Sequence, residues 1–222
     1  MQVSPSQKKL IEQVINCFET GSITGNYSQV TLLDDAPNGT KQVTYGRSQV
    51  TEYGNLKTLL QAYHGQYAMD LGQYIPKIRD GSLATNTGFH ELLRKAGKDP
   101  AMQKCQDDIF DEHYFKPSVE WATTMGFTEA LSLLVIYDSY IHSGHIMQSL
   151  RNKFSERVPN EGGNEKTWIK SYVEARHNWF KNSLNPVLQN CVYRTSCLMS
   201  LISLGNWDLT QRPIMAHGVM IR

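Results

Sequence analysis

Residues 4–21, reading SPSQKKLIEQVINCFETG, decide how the rest of the chain is read. Ser4 is placed to cap a helix, Pro5 suits its first position, and Gln7 is the return partner of a capping box. Leu10, Ile11, Val14, Ile15 and Phe18 then recur at the spacing of one apolar helical face. Gly21 breaks the helix. Glu19 therefore stands at a helix end beside an apolar side chain. Partial withdrawal of a carboxyl from water favours its protonated form, the form a proton donor needs.

Working outward, Tyr27 to Leu33 and Thr40 to Gln49 are rich in Val, Thr and Tyr and read as two strands. Between them lies Asp34-Asp35-Ala36-Pro37-Asn38-Gly39, where Asn-Gly signals a hairpin. The aspartates fall at the end of the first strand, where side chains meet solvent. A helix-borne acid followed by a hairpin-borne acid is equipment for cutting glycosidic bonds. One carboxyl, protonated, donates to the leaving oxygen; the other, ionised, activates water or attacks the sugar. Glu19 with Asp34 or Asp35 is the candidate pair. Thr44, in the returning strand, is a candidate holder of the attacking water. Tyr27, Tyr45 and Tyr53 flank the pair and are candidates to stack on sugar faces. Taken singly, each also suits ordinary strand or turn packing.

The remainder reads as mostly helical. Leu56, Leu59, Leu60 and Tyr63 mark a second helix, Ile75 and Ile78 a short third, and Phe89, Leu92, Leu93 and Ala96 a fourth. Asp99-Pro100 opens a helix running to about Tyr114, and Lys116-Pro117 opens another. Residues 128–142 are apolar nearly all round, which predicts a central buried helix. Asp138 lies inside it, and a buried carboxylate needs a partner. Arg194, at the start of a final helix running to about Leu204, is the candidate, with a further reach toward Glu19. A loop at Pro159–Asn164 precedes a Trp-rich helix with Trp168 and Trp179, and an extended tail closes the chain.

Composition narrows the class. The 222 residues suit one large domain, 1–222, or two lobes sharing a core, and the expectation is a single catalytic domain with a cleft between two lobes; at this length roughly 70% of the unfolded surface is buried on folding. Lys+Arg number 22 and Asp+Glu 21, a balance that gives no support to a nucleic-acid groove or a polybasic membrane contact. The longest apolar run, about Ala130 to Ile141, is too short to span a bilayer. No basic patch followed by an apolar core opens the chain, so the expectation is synthesis in the cytoplasm without a signal peptide. The four cysteines, Cys17, Cys105, Cys191 and Cys197, match no zinc or redox spacing and read as free thiols. His142-Ser143-Gly144-His145 lacks acidic or cysteine ligands at helical spacing, and no phosphate-binding loop, dinucleotide fingerprint or G-x-S-x-G elbow occurs. The expectation is a monomer with no metal and no organic cofactor, whose partner is a polysaccharide substrate.

These elements, in this order, resemble glycoside hydrolase family 46, the chitosanase family of the lysozyme superfamily. Lys8-Lys9-Leu10-Ile11-Glu12 leads to Glu19, where the family has its general acid. Val30-Thr31-Leu32-Leu33-Asp34-Asp35 stands where it has its base. Thr44-Tyr45-Gly46 looks like its water-positioning segment, Tyr137-Asp138-Ser139 with Arg194 like its buried ion-pair network, and Gly205-Asn206-Trp207-Asp208-Leu209 like its closing segment. The resemblance implies a mainly α, lysozyme-like two-lobed fold with a small β-hairpin region, and endo-hydrolysis of a β-1,4 amino-sugar polymer with inversion. The loop after Asp35 is longer than the resemblance leads one to expect, so either aspartate can be the base; Leu32 and Leu33 anchor Asp34 and put it ahead. Asn55 stands just before the second helix, where chitosanases tend to place an acid that binds a free ammonium. It can bond an acetamido group but cannot neutralise an amine. The stretch from Val43 to Gln49 and the tail from Pro213 to Val219 look more like chitosanase-like peptidoglycan hydrolases, which occur as phage endolysins and type VI secretion effectors. Arg47 is the candidate partner for a muramyl or peptide carboxylate there. Peptidoglycan is therefore expected ahead of chitosan, with action on the cell wall after delivery or lysis. A lytic transglycosylase, which needs only the acid, is the remaining alternative.

Overall fold

The computed structural model describes residues 1–47 and 49–222; Ser48, inside the expected second strand, lies outside the described residues. In chain order the elements are α1 (Pro5–Thr20), β1 (Val30–Leu33), β2 (Gln42–Tyr45), β3 (Val50–Thr51), α2 (Leu56–Ala62), α3 (Ala68–Gly72), α4 (Thr87–Ala96), α5 (Pro100–Phe110), α6 (Lys116–Thr124), α7 (Ala130–Ser143), α8 (Gln148–Arg151), α9 (Glu165–Lys181), α10 (Pro186–Gln189), α11 (Val192–Ser203), β4 (Ile214–Ala216) and β5 (Val219–Ile221). The described residues are thus mainly helical, with two small antiparallel sheets among them. Among the described residues no helix is long and apolar enough to cross a membrane, and no three His, Cys, Asp or Glu side chains cluster to hold a metal ion.

The chain forms two compact units. The first comprises residues 1–23 and 112–222. Its centre is α7, whose residues from Ala130 to Ser139 are all buried. A helix with no polar face has nowhere to go but the middle. α1, α6, α9 and α11 all pack against it. α1 begins where the sequence predicts: Ser4 Oγ accepts the Gln7 amide N–H at 3.2 Å, and the Gln7 side chain accepts the Ser4 N–H at 2.9 Å. Its stripe of Leu10, Ile11, Val14, Ile15 and Phe18 is buried to 2% exposure or less. Gly21, at φ +64°, turns the chain out of the helix. The β4–β5 hairpin, which the sequence pattern left as a tail, packs on α1, and β4 also on α11.

The second unit, residues 24–111, holds the sheet β1-β2-β3 and helices α2 to α5. Val30 pairs with Tyr45 and Leu33 with Gln42, so eight residues connect the first two strands. The connection expected over Asp34–Gly39 is thus two residues longer, and it carries a 3-10 turn, Pro37–Gly39. Pro37 fixes φ at the start of that turn, and Gly39, at φ +70°, ends it. α4 opens where the Asn86 side chain accepts the Phe89 N–H at 2.9 Å. Asn86→Ala should remove that cap at a cost of about 1 kcal/mol, read in a thermal melt as a fall of about 2–4 °C. α5 passes at Asp111 into a π-helical stretch, Asp111–Phe115, so the helical run reaches Tyr114 as expected.

Candidate active site

Glu19 belongs to the last turn of α1 and its side chain is 15% exposed. Its carboxylate does not sit in an apolar pocket. Arg194 Nη1 donates to Glu19 Oε1 at 2.6 Å. The same guanidinium donates through Nε and Nη2 to Asp138 Oδ1, at 2.9 and 2.5 Å. Asp138 Oδ2 is taken by Arg176 Nη1 of α9. Asp138, Arg176 and Arg194 are all 3% exposed or less. The structure thus brings together Glu19, Asp138 and Arg194, and adds Arg176. Arg176 escaped the sequence reading because it sits in a helix dominated by aromatics. The signal was present: Tyr172 and Arg176 are four apart, on the face that includes buried Val173, and a fully enclosed carboxylate has acceptor capacity for more than one cation.

The electrostatics of the quartet follow from burial. Desolvation opposes the charge on Asp138, but the Arg194 and Arg176 guanidiniums outweigh it and hold the carboxyl down at about 2. Burial works against the charge on Arg194 as well, and Asp138 and Glu19 more than compensate. His142, also on α7, is held neutral, its pKa pushed down to about 3 by burial first and then by Arg176 and Arg194. It packs edge-on against Phe180 at 5.0 Å.

In the second unit the two aspartates have different surroundings. Asp34 is 78% exposed and faces Lys41 Nζ at 3.7 Å. Asp35 Oδ1 accepts from Gln42 Nε2 at 2.7 Å. Gln42 is itself 5% exposed, and its Oε1 accepts the Tyr53 N–H at 3.2 Å. Asp35 is therefore aimed by a buried amide, whereas Asp34 has a long contact with an exposed cation. The strand-anchoring argument for Asp34 is corrected on this ground: β1 ends at Leu33, so neither aspartate is held by the ladder. Gln42, which the sequence reading passed over, is what separates them.

Burial bears on three other expectations, those for Tyr45, Arg47 and Thr44. Tyr45 is fully buried and has no face to offer a sugar. Arg47 is 6% exposed; its Nε pairs with Asp107 Oδ1 at 2.8 Å, and its guanidinium lies over Tyr27 and Phe110 at 5.9 and 5.6 Å. Tyr27 donates its hydroxyl to the same Asp107 at 3.0 Å. Tyr27, half-buried, and Arg47 thus share one acid, and the Arg47 guanidinium is already taken up inside this unit. Thr44 is fully buried, its hydroxyl lying 2.5 Å from Gln49 Oε1 and 3.2 Å from the Thr31 carbonyl, which leaves it no proton for a water. Asn55 is half-buried at the start of α2, and its side chain does not cap that helix. All four cysteines carry free thiols; burial pushes Cys17 up to about 11 and Cys197 up to about 12.

Comparison with known proteins gives a consistent picture. Residues 13–214 match glycosyl hydrolase family 46. The chitosanase of Bacillus subtilis (strain 168) is 24% identical over 227 residues, covering 93% of this chain and 80% of its own length. The chitosanase of Streptomyces sp. (strain N174) is 25% identical over 187 residues, 78% of this chain and 66% of its own. Among solved structures, the complex of Gynuella sunshinyii GH46 chitosanase with chitotetraose superposes with a TM-score of 0.84 at 24% identity, covering 99% of this chain and 98% of that one. The E19A mutant chitosanase from Bacillus subtilis MY002 complexed with 6 GlcN gives 0.84 at 23% identity, with both chains fully covered. At such identities the likeness of the structures establishes a shared fold.

Proposed function

The chain belongs to glycosyl hydrolase family 46 and is a glycoside hydrolase, and on that premise we propose that it cleaves the β-1,4 bonds of chitosan with inversion, Glu19 acting as general acid and Asp35 as general base. The observation that carries this reading is the Glu19–Arg194 pair backed by Asp138. A proton donor becomes a carboxylate as the glycosidic bond breaks. Arg194 Nη1, 2.6 Å away, is pre-aimed at that developing charge, and Asp138 keeps the guanidinium from swinging. Asp35, aimed by Gln42, would take the proton from a water that attacks the anomeric carbon from the opposite face. Inversion demands carboxyls roughly 6.5–9.5 Å apart, leaving space for that water.

Chitosan is preferred over the peptidoglycan expected from the sequence because the named relatives are chitosanases. One observation favours peptidoglycan as the second reading: a net charge of +1, with Asn55 where an acid would meet an ammonium, gives a polycation little attraction. Digestion of chitosan oligomers and of purified sacculi, with products followed by NMR and mass spectrometry, separates the readings. The expected result is glucosamine oligomers whose new reducing ends appear first as the α-anomer. Cleavage of sacculi alone supports the second reading. β-Anomers first, or 1,6-anhydro ends, reject the inverting mechanism.

A further inference from the structure

The last turn of α1, which carries Glu19, is held from outside the helix. Carbonyls in a final turn lack the N–H four residues on. Here the Phe18 oxygen accepts the Tyr193 hydroxyl at 2.7 Å. The Cys17 oxygen, one residue earlier, keeps its helical partner, the Gly21 N–H at 3.0 Å, and lies 3.1 Å from Nδ1 of His217 as a second donor. A carbonyl can only accept, so Nδ1 is the protonated nitrogen of that ring. The two donors are joined to each other: the rings of Tyr193 and His217 stack with centroids 3.9 Å apart and planes 9° from parallel. Tyr193 also meets Phe18 edge-on at 5.9 Å. Its chain neighbour, Arg194, grips the Glu19 carboxylate. Consecutive residues of α11 thus fix the main chain of residue 18 and the side chain of residue 19.

His217 occupies a backbone position that does not favour it. Residues 217 and 218 form the two-residue turn between β4 and β5, closed by the pair Ala216 and Val219. Their φ angles are +50° and +77°. Turns with both φ positive strongly prefer Asn or Gly first. A histidine there is strained, and strain retained at a position with easy alternatives points to the side chain. That side chain reaches the helix bearing the acid.

We propose that His217 and Tyr193 form a clamp on the end of α1 that positions Glu19 for proton donation. The inference rests on the reading of Glu19 as the acid. Both are positioning residues: they touch the backbone of the acid's own turn and act through it. Without them the turn frays at the residue whose carboxyl must meet a glycosidic oxygen, and a displacement of about 1 Å can cost about 100-fold in rate.

Three variants test it. His217→Gly keeps the turn, since two glycines accept both positive φ angles, but removes the donor and the stacked ring. His217→Asn also suits the turn, and its Nδ2 is bonded to Cγ as the histidine Nδ1 is, so it restores the donor without the ring. Tyr193→Phe removes the hydroxyl and leaves the stack. The expected result for His217→Gly is a fall in kcat of about 10- to 100-fold with KM within about two-fold and the melting temperature little changed. His217→Asn should recover most of that loss, and Tyr193→Phe should lower kcat in the same way. Unchanged kcat in both His217→Gly and Tyr193→Phe overturns the clamp, as does His217→Asn turning over no faster than His217→Gly. If His217→Gly does not fold, kcat for Tyr193→Phe decides alone. Glu19→Gln is measured alongside. Full activity in Glu19→Gln rejects the acid itself; a dead Glu19→Gln beside fully active clamp variants rejects only the clamp.

Discussion

Glu19→Gln should lower kcat on chitosan by about 100- to 10,000-fold, the usual contribution of a positioned proton donor, while KM and the melting temperature stay close to those of the parent. The substitution is chosen because it preserves everything except the proton. A glutamine at this position has the same length, and its carbonyl oxygen can still accept from Arg194 Nη1. The first unit therefore keeps its packing, and the loss reports chemistry alone. Asp35→Asn should fall into the same range, because an amide cannot take the proton of the attacking water. Asp34→Asn should stay within about three-fold of the parent, outside the range of acid–base catalysis: Asp34 is exposed, and its partner Lys41 is 3.7 Å away. Initial rates of reducing-end release measure all three. Glu19→Gln within three-fold of the parent would refute the acid assignment. An Asp34→Asn loss matching that expected for Asp35→Asn would move the base by one residue and remove the role given to Gln42.

The elements legible in the sequence are those whose signals are local. Ser4, Pro5 and Gln7 announce the start of α1, and Gly21 its end, because a capping box and a left-handed exit are written within a few residues. The burial of α7 follows from its lack of a polar face. Asp138 and Arg194 were legible as partners because an enclosed carboxylate demands a cation. What escaped depends on distant neighbours. β4 and β5 are three residues each, too short for a period-two pattern, and exist because α1 and α11 supply a surface. The first strand ends at Leu33 as read, but the second opens at Gln42 rather than Thr40, because Pro37 starts a 3-10 turn that lengthens the connection. Tyr45, Arg47 and Thr44 were read as surface groups from their residue types. Their burial is set by side chains far along the chain: Gln106 accepts the Arg47 N–H at 3.0 Å, and Asp107 takes its guanidinium. Gly46 lets Gln106 in, since a Cβ at residue 46 would lie 2.2 Å from its Oε1.

Asp138→Ala should destabilise the protein by about 3–5 kcal/mol, because it leaves two guanidiniums enclosed without their shared anion. Arg176 and Arg194 are 1% and 3% exposed and cannot turn to water without opening the core around α7. Arg194 would also lose the contacts that hold it toward Glu19, so activity at temperatures below the melt should fall along with stability. The pH dependence supplies an independent check, with its sign fixed by the direction of the shift. The carboxyl of Asp138 is held down at about 2, below its unfolded value near 3.8. Its ionised form stabilises the fold above that unfolded value, and the contribution, about 2 kcal/mol, is lost as pH falls toward 2. His142 acts in an adjoining window. Its folded pKa is pushed down to about 3 from 6.5, so the unfolded chain binds the extra proton first and stability declines as pH drops through that interval. Denaturant melts at pH 7, 5, 4 and 2.5 resolve the two. His142→Gln should flatten the decline between pH 6.5 and 4 while leaving the steeper loss below 4. Asp138→Asn should do the reverse, starting from a lower plateau at pH 7. A parent protein with the same midpoint at pH 7 and pH 2.5 would mean that the quartet contributes no net stability. Arg194 would then be held toward Glu19 by packing against Phe18, whose ring lies 5.1 Å from its guanidinium, rather than by charge.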